Sequence, residues 1–181
     1  MNGYKCGNMP RLGGFASTSL SSRYRKARRR EGLIMLQNSR CLVVILMGVS
    51  GAGKTTVGKL LAKDLGWKFY DSDYFHPQTN IDKMQRGDAL NDDDRWPWLA
   101  RLAELLSNQE KQDGAVLACS ALKERYRERL SGTLSTPVTW IVLTGSAALL
   151  SSRLSNRKGH FFDARLLENQ LATLEMPAYG L

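Results

Sequence analysis

The sequence predicts an α/β protein, a parallel sheet with helices on both faces in three layers. Three observations carry this expectation. Four short apolar runs stand out: "CLVVILM" (41–47), "WKFYD" (67–71), "AVLAC" (115–119) and "VTWIVLT" (138–144). Helical patterns separate them. The first run breaks abruptly into "GVSGAGKT" at 48–55, small residues followed by one lysine.

The first, third and fourth runs lack polar alternation, as strands buried on both faces of a parallel sheet should. Behind the lysine, Val57, Leu60, Leu61 and Leu65 fall at helical spacing, and Gly66 provides a stop. A second helix is expected from Asp92, with Pro97 in a permissive first turn and Asp92 and Asp93 as caps. Trp98, Leu99, Leu102, Leu105 and Leu106 form its apolar face. Shorter helices are expected near 120–130, 146–157 and 162–174, the last closed by Pro177.

A chain of 181 residues suffices for one domain with a sizeable core and hardly for two. Its net charge of +9 is unevenly placed. Residues 1–40 hold nine Lys/Arg and one acid, so the remaining 141 residues carry only +1. The domain itself therefore gives no charge argument for a nucleic-acid or membrane partner. The basic tail, Ser- and Arg-rich at "ASTSLSSRYRKARRREG", has three readings. It is a disordered extension with Met35 as the true start, a transit peptide for organelle import, or a nucleic-acid arm without an aromatic platform. The first places the protein in the cytoplasm. The apolar stretch 41–47 is far shorter than the roughly 20 residues of a membrane span. Cys6, Cys41 and Cys119 have no metal-like spacing and read as free thiols in a reducing compartment, the latter two as small core side chains.

Gly48, Val49, Ser50, Gly51, Ala52, Gly53, Lys54 and Thr55 fit G-x-x-x-x-G-K-[ST], between a buried strand and an amphipathic helix. Such a loop turns backbone N–H groups inward and adds the positive end of a helix dipole, which suits a triphosphate. Lys54 then reaches the β- and γ-phosphates, and Thr55 ligates Mg²⁺. Thr56 completes the nucleotide-binding set. The guanine-reading N-K-x-D of a switch GTPase is absent, and strand three ends in "LACS" without the acid usual in motor ATPases. The acids follow strand two, as Asp71-Ser72-Asp73. At the sheet's C-terminal edge they face the ligand crevice. Asp71 is a candidate to hold Mg²⁺ through water, and Asp73 to take a proton from a substrate hydroxyl; the other reading is a solvated acidic turn.

"HPQTNIDKMQRGDALNDDDRWPW" (76–98) is dense in hydrogen-bonding and cationic groups, suited to a polyol bearing a carboxylate rather than to a nucleobase. Lys83 and Arg95 are candidate carboxylate or phosphate partners. His76 is a weaker candidate, since a lone histidine is often a surface residue. Ser120, Lys123 and Arg127 leave strand three at the same crevice edge, the last two spaced for one helix face. Arg153 and Arg157, four apart and followed by a glycine, suggest a mobile lid over the transferring phosphate, or a plain solvated helix.

Together these segments resemble the small, shikimate-kinase-like gluconokinases of the nucleoside-monophosphate-kinase-like fold. The matching pieces are "MGVSGAGKTT", "GWKFYDSDYFHPQTNIDKMQRGDALNDDDRWPWL", "ACSALKERYR", "RKGHFF" and "QLATLEMP", spanning 42 to 177. The resemblance implies ATP-dependent phosphorylation of D-gluconate at its 6-hydroxyl, with Mg²⁺, often in a homodimer. It implies a P-loop kinase domain over 41–181, with a substrate-binding segment at 73–98 and a lid at about 153–162. Asp73, His76, Lys83, Arg95, Ser120, Lys123, Arg127 and His160 become substrate-side candidates, and Lys54, Asp73, Arg153 and Arg157 catalytic ones. Such kinases continue through a fifth strand and a closing helix beyond "AYGL", so a four-stranded, truncated form is expected, with "VTWIVLT" as an apolar sheet edge. A kinase for another acidic polyol such as shikimate, and an inactive isoform, are the alternatives.

Overall fold

The computed structural model describes residues 42–156 and 164–178. The basic segment 1–40, Cys41, Arg157 and His160 lie outside the described residues. Four parallel strands form the sheet: β1 (Val43–Met47), β2 (Lys68–Asp71), β3 (Ala115–Ala118) and β4 (Val138–Val142). Their order is β2-β3-β1-β4. β1 is therefore central, paired in register from Val43 with Ala115 on one side and Val138 on the other. Among the described residues β4 forms one edge. The helices are α1 (Lys54–Leu65), α2 (Gln78–Gln85), α3 (Asp92–Glu110), α4 (Glu124–Ser131), α5 (Ala147–Ser155) and α6 (Ala164–Thr173). A 3₁₀ turn covers Ser72–Phe75.

Alternation along β1 explains the layers. Val43, Ile45 and Met47 point to one face, against Leu99, Leu102 and Leu106 of α3 and Leu130 of α4. Val44 and Leu46 point to the other, against Ala62 and Leu65 of α1. All five strand residues are buried, each contributing about 1.5–3 kcal/mol of hydrophobic stabilisation. A third cluster joins Val49 and Ala52 of the phosphate loop to Leu150, Leu154 and Leu167.

α2 lies where the sequence predicts no helix, and two of the expected helices differ in detail. The buried stripe of α1 is Gly58, Ala62 and Leu65, while Val57 and Leu60 are 39% and 56% exposed. Phe69 is the reason: a Cβ on Gly58 would lie 2.5 Å from its ring, so the helix turns its small residues to the sheet. Gly66 ends α1 in the left-handed conformation, φ 73°. The cap of α3 is Asn91, not Asp92 or Asp93. The Asn91 side chain accepts from the Asp94 N–H, and the Asp94 carboxylate accepts from the Asn91 N–H. Pro97 lies beyond the first turn, inside the helix.

Glu110, 5% exposed, ends α3 and holds the loop before β4. Its carboxylate accepts from the Ser135 N–H and hydroxyl at 3.1 and 3.0 Å, and from the Thr136 N–H and hydroxyl at 2.6 Å each. Burial pushes its pKa up, but the Thr136 and Ser135 donors outweigh burial and hold it below the ordinary value. A depressed folded-state pKa contributes stability above the unfolded value, lost as pH falls through the folded one. Glu110→Gln is expected to cost about 1.5–3 kcal/mol near neutrality, the scale of a hydrogen bond to a charged group. Thermal melts at pH 7 and pH 4 check this: the gap between variant and parent should narrow at pH 4, and a constant gap would refute the charge assignment.

Candidate active site

The loops after β1, β2 and β3 line one cleft of about 1370 Å³. The phosphate loop is built from the core outward. Val49 and Ala52 bury their side chains, which anchors the turn and leaves its backbone polar groups for the cleft side. Gly48 has φ 136°, and a Cβ there would lie 2.3 Å from the Leu143 carbonyl oxygen, so no side chain fits. Lys54, the first residue of α1, curls over the loop and donates to the Gly48 and Val49 carbonyls at 2.9 and 3.0 Å. Thr55 donates its hydroxyl to Asp71 Oδ2 at 2.8 Å. The exposed Thr56 follows in the same turn. Arg153 of α5 reaches back and donates to the Gly51 carbonyl at 3.4 Å. The Ser50 N–H donates to Gln170 Oε1 of α6 at 2.7 Å.

The acids after β2 divide. Asp71 caps the 3₁₀ turn, accepting from the Asp73 N–H at 3.3 Å, and its other oxygen meets Thr55. Asp73 lines the cleft. His76 lies flat on Trp98, ring centroids 4.3 Å apart and planes 12° off parallel. Burial first, then the Arg95 guanidinium, push its pKa down to about 4, so the ring is neutral at ordinary pH. The buried Asn80 side-chain amide sits 3.4 Å from its Nδ1 and donates to the Asp94 carbonyl at 2.7 Å.

Opposite stands a charged cluster on Tyr126. Arg95, Lys123 and Arg125 place their cations 5.5 to 5.7 Å from its ring centroid. Asp92 accepts from the Tyr126 hydroxyl and pairs with Arg125 and, at 3.7 Å, Lys123. The Tyr126 hydroxyl and, against burial, these cations hold the Asp92 carboxyl below its ordinary range.

The cleft thus gathers Ser50, Lys54, Asp73, His76, Arg95, Ser120 and Lys123. Lys83 stands aside, its ammonium 2.7 Å from Asp94, whose pKa that hydrogen bond and the Asn91 N–H depress. Arg127 is a correction to the substrate-side expectation. At 1% exposure it lies under the β3–α4 loop, donating to the Ala121 and Leu122 carbonyls at 3.0 and 3.3 Å and pairing with Glu124. Nor do Lys123 and Arg127 share a helix face, because α4 starts at Glu124 and Lys123 is its cap. Trp98, expected only as core, also forms the floor under His76. Cys119 is buried and free, its thiol pushed up to about 12 by burial. Among the described residues no acid, His or Cys cluster suits a metal by itself, and no helix is long and apolar enough to cross a membrane.

Comparison with known proteins agrees with this frame. The family described as AAA domain matches residues 43–177. The chain is 48% identical over 149 residues to a probable gluconokinase of Dictyostelium discoideum, covering 78% of this chain and 74% of that one. It is 50% identical over 135 residues to a gluconokinase of Gluconobacter oxydans, covering 74% and 75%. A crystal structure of a gluconokinase from Sinorhizobium meliloti superposes with a TM-score of 0.69 at 43% identity, covering 75% of this chain and 76% of that one. The chain belongs to the gluconokinase family, within the wider AAA domain family.

Proposed function

We propose that this chain transfers the γ-phosphoryl group of ATP to the 6-hydroxyl of D-gluconate. The observation that carries the reading is the shared cleft: the phosphate loop and Lys54 open onto the same space as Asp73, His76, Arg95 and Lys123. The bond between the 6-oxygen and the γ-phosphorus forms as the bond to the β–γ bridging oxygen breaks. The hydroxyl proton passes to Asp73, and ADP leaves. Lys54 swings from the loop carbonyls to the phosphates, and Arg153 sits beside the loop to add charge. The neutral His76 offers a hydrogen bond to a hydroxyl, and Arg95 and Lys123 supply the positive side for the acid's carboxylate. Lys83 supports this wall through Asp94.

The Thr55 hydroxyl and Asp71 carboxylate converge within 2.8 Å beside the loop, a hard-oxygen pair that suits Mg²⁺. When bound, the ion would offset phosphate charge, and the Thr55 hydroxyl and the Asp71 carboxylate would hold it on the protein side.

A coupled ADP-release assay across gluconate, shikimate and nucleoside monophosphates tests the reading. Turnover with gluconate alone is expected. Equal or better turnover with either other acceptor would overturn it.

A further inference from the structure

The geometry points to Gln170 as a catalytic residue that hydrogen-bonds the transferring phosphoryl group. The inference deepens the proposed reading and rests on it.

Gln170 lies 120 positions from Ser50, yet its Oε1 accepts the Ser50 N–H at 2.7 Å. That N–H belongs to the turn whose donors receive phosphate oxygens in a loop of this kind. The Gln170 amide is thus one hydrogen-bond length from where such an oxygen sits. It also lines the cleft that holds Lys54 and Asp73. Its placement is fixed at both ends of the segment. Leu167 is buried against the phosphate-loop cluster. Beyond the helix, the Glu175 N–H donates to the Leu122 carbonyl at 2.8 Å, and its carboxylate accepts from the Glu124 N–H at 2.6 Å. The "QLATLE" stretch therefore ties the phosphate loop to the acceptor-side loop after β3.

The amide chemistry suits the place. An incoming phosphate oxygen competes for the Ser50 N–H. A half-turn about the terminal bond of Gln170 then presents Nε2, a neutral donor, to the same oxygen. A carboxylate at this position would keep the bond to Ser50 and repel the phosphate.

That contrast gives the test. Gln170→Glu preserves an acceptor for Ser50, so a purely structural role predicts near-normal behaviour. A phosphoryl contact predicts the opposite. Gln170→Ala should lower kcat with gluconate about 10²-fold, the scale of removing one donor to developing charge. Gln170→Glu should lower it further. Titrations with Mg²⁺ but without acceptor should find ATP affinity weakened by Gln170→Glu and ADP affinity retained, because only ATP carries the γ-phosphate. Wild-type activity in Gln170→Glu, or an equal fall for ADP and ATP, would overturn the assignment. The titrations need no acceptor, so they stand even if gluconate proves to be the wrong substrate. Failure of the wild-type chain with gluconate would instead count against the proposed reaction.

Discussion

Lys54→Ala is expected to lower kcat by about 10³-fold or more, at or above the upper scale for losing one preorganised donor to developing charge. The ammonium donates to loop carbonyls at 2.9 and 3.0 Å, and Lys54 is not one of the buried core residues. Its removal takes charge from the transferring phosphate and leaves β1, α1 and their packing in place. The checks are kcat with gluconate and a thermal melt. A collapse of turnover with a melting temperature close to the parent's supports the assignment. Unchanged turnover would falsify it, and an unfolded variant would give Lys54 a structural role in place of the catalytic one.

The second large effect concerns Asp73→Asn. Amide and carboxylate have nearly the same shape, so the cleft keeps its form while the base is lost. Turnover should fall about 10²–10⁴-fold, the usual contribution of a positioned general base. ATP affinity should hardly move, because the carboxylate beside Thr55 is that of Asp71. Separate titrations of ATP and gluconate decide the matter. Should ATP binding collapse while gluconate binding survives, Asp73 belongs with the metal-side groups and the proton acceptor must be sought elsewhere.

β1 and β3 were legible because burial on both faces leaves a plain mark, an unbroken apolar run, while the half-buried β2 and β4 were legible from their β-branched and aromatic residues. All four observed strands fall inside the four runs. The phosphate loop was legible because its geometry demands glycines at set positions. The acceptor wall was harder. α2, "QTNIDKMQ", has only Ile81 and Met84 as apolar residues and buries Asn80, and tertiary bonds hold it: Asn80 to the Asp94 carbonyl and Lys83 to the Asp94 carboxylate. Local periodicity carries no trace of such bonds. The Asn91–Asp94 capping box was missed in favour of Asp92 and Asp93, although "NDDD" carries its signal, an amide three residues before a carboxylate. Arg127 shows the opposite difficulty. A cation in a motif reads as a ligand for the substrate, and only the folded chain reveals it satisfied beneath a loop by two carbonyls and Glu124. Gln170 carries no signal of its role in "QLATLEMP", since nothing in a helical stretch says that it meets Ser50.

β1 has a neighbour on each edge and no exposed residue on either face. Its amide protons can reach solvent only when the sheet as a whole comes apart. The stretch 78–90, in which Asn80 alone is buried, belongs to the regions that open locally at much smaller free-energy cost. The cleft is thus walled by parts of unequal local stability. A triphosphate meets a loop rooted in the last unit to open. The acceptor side of the cleft is bordered by that less buried stretch, through Ile81, Met84 and Leu90, so acceptor binding is expected to slow amide exchange there while that of β1 stays as it was.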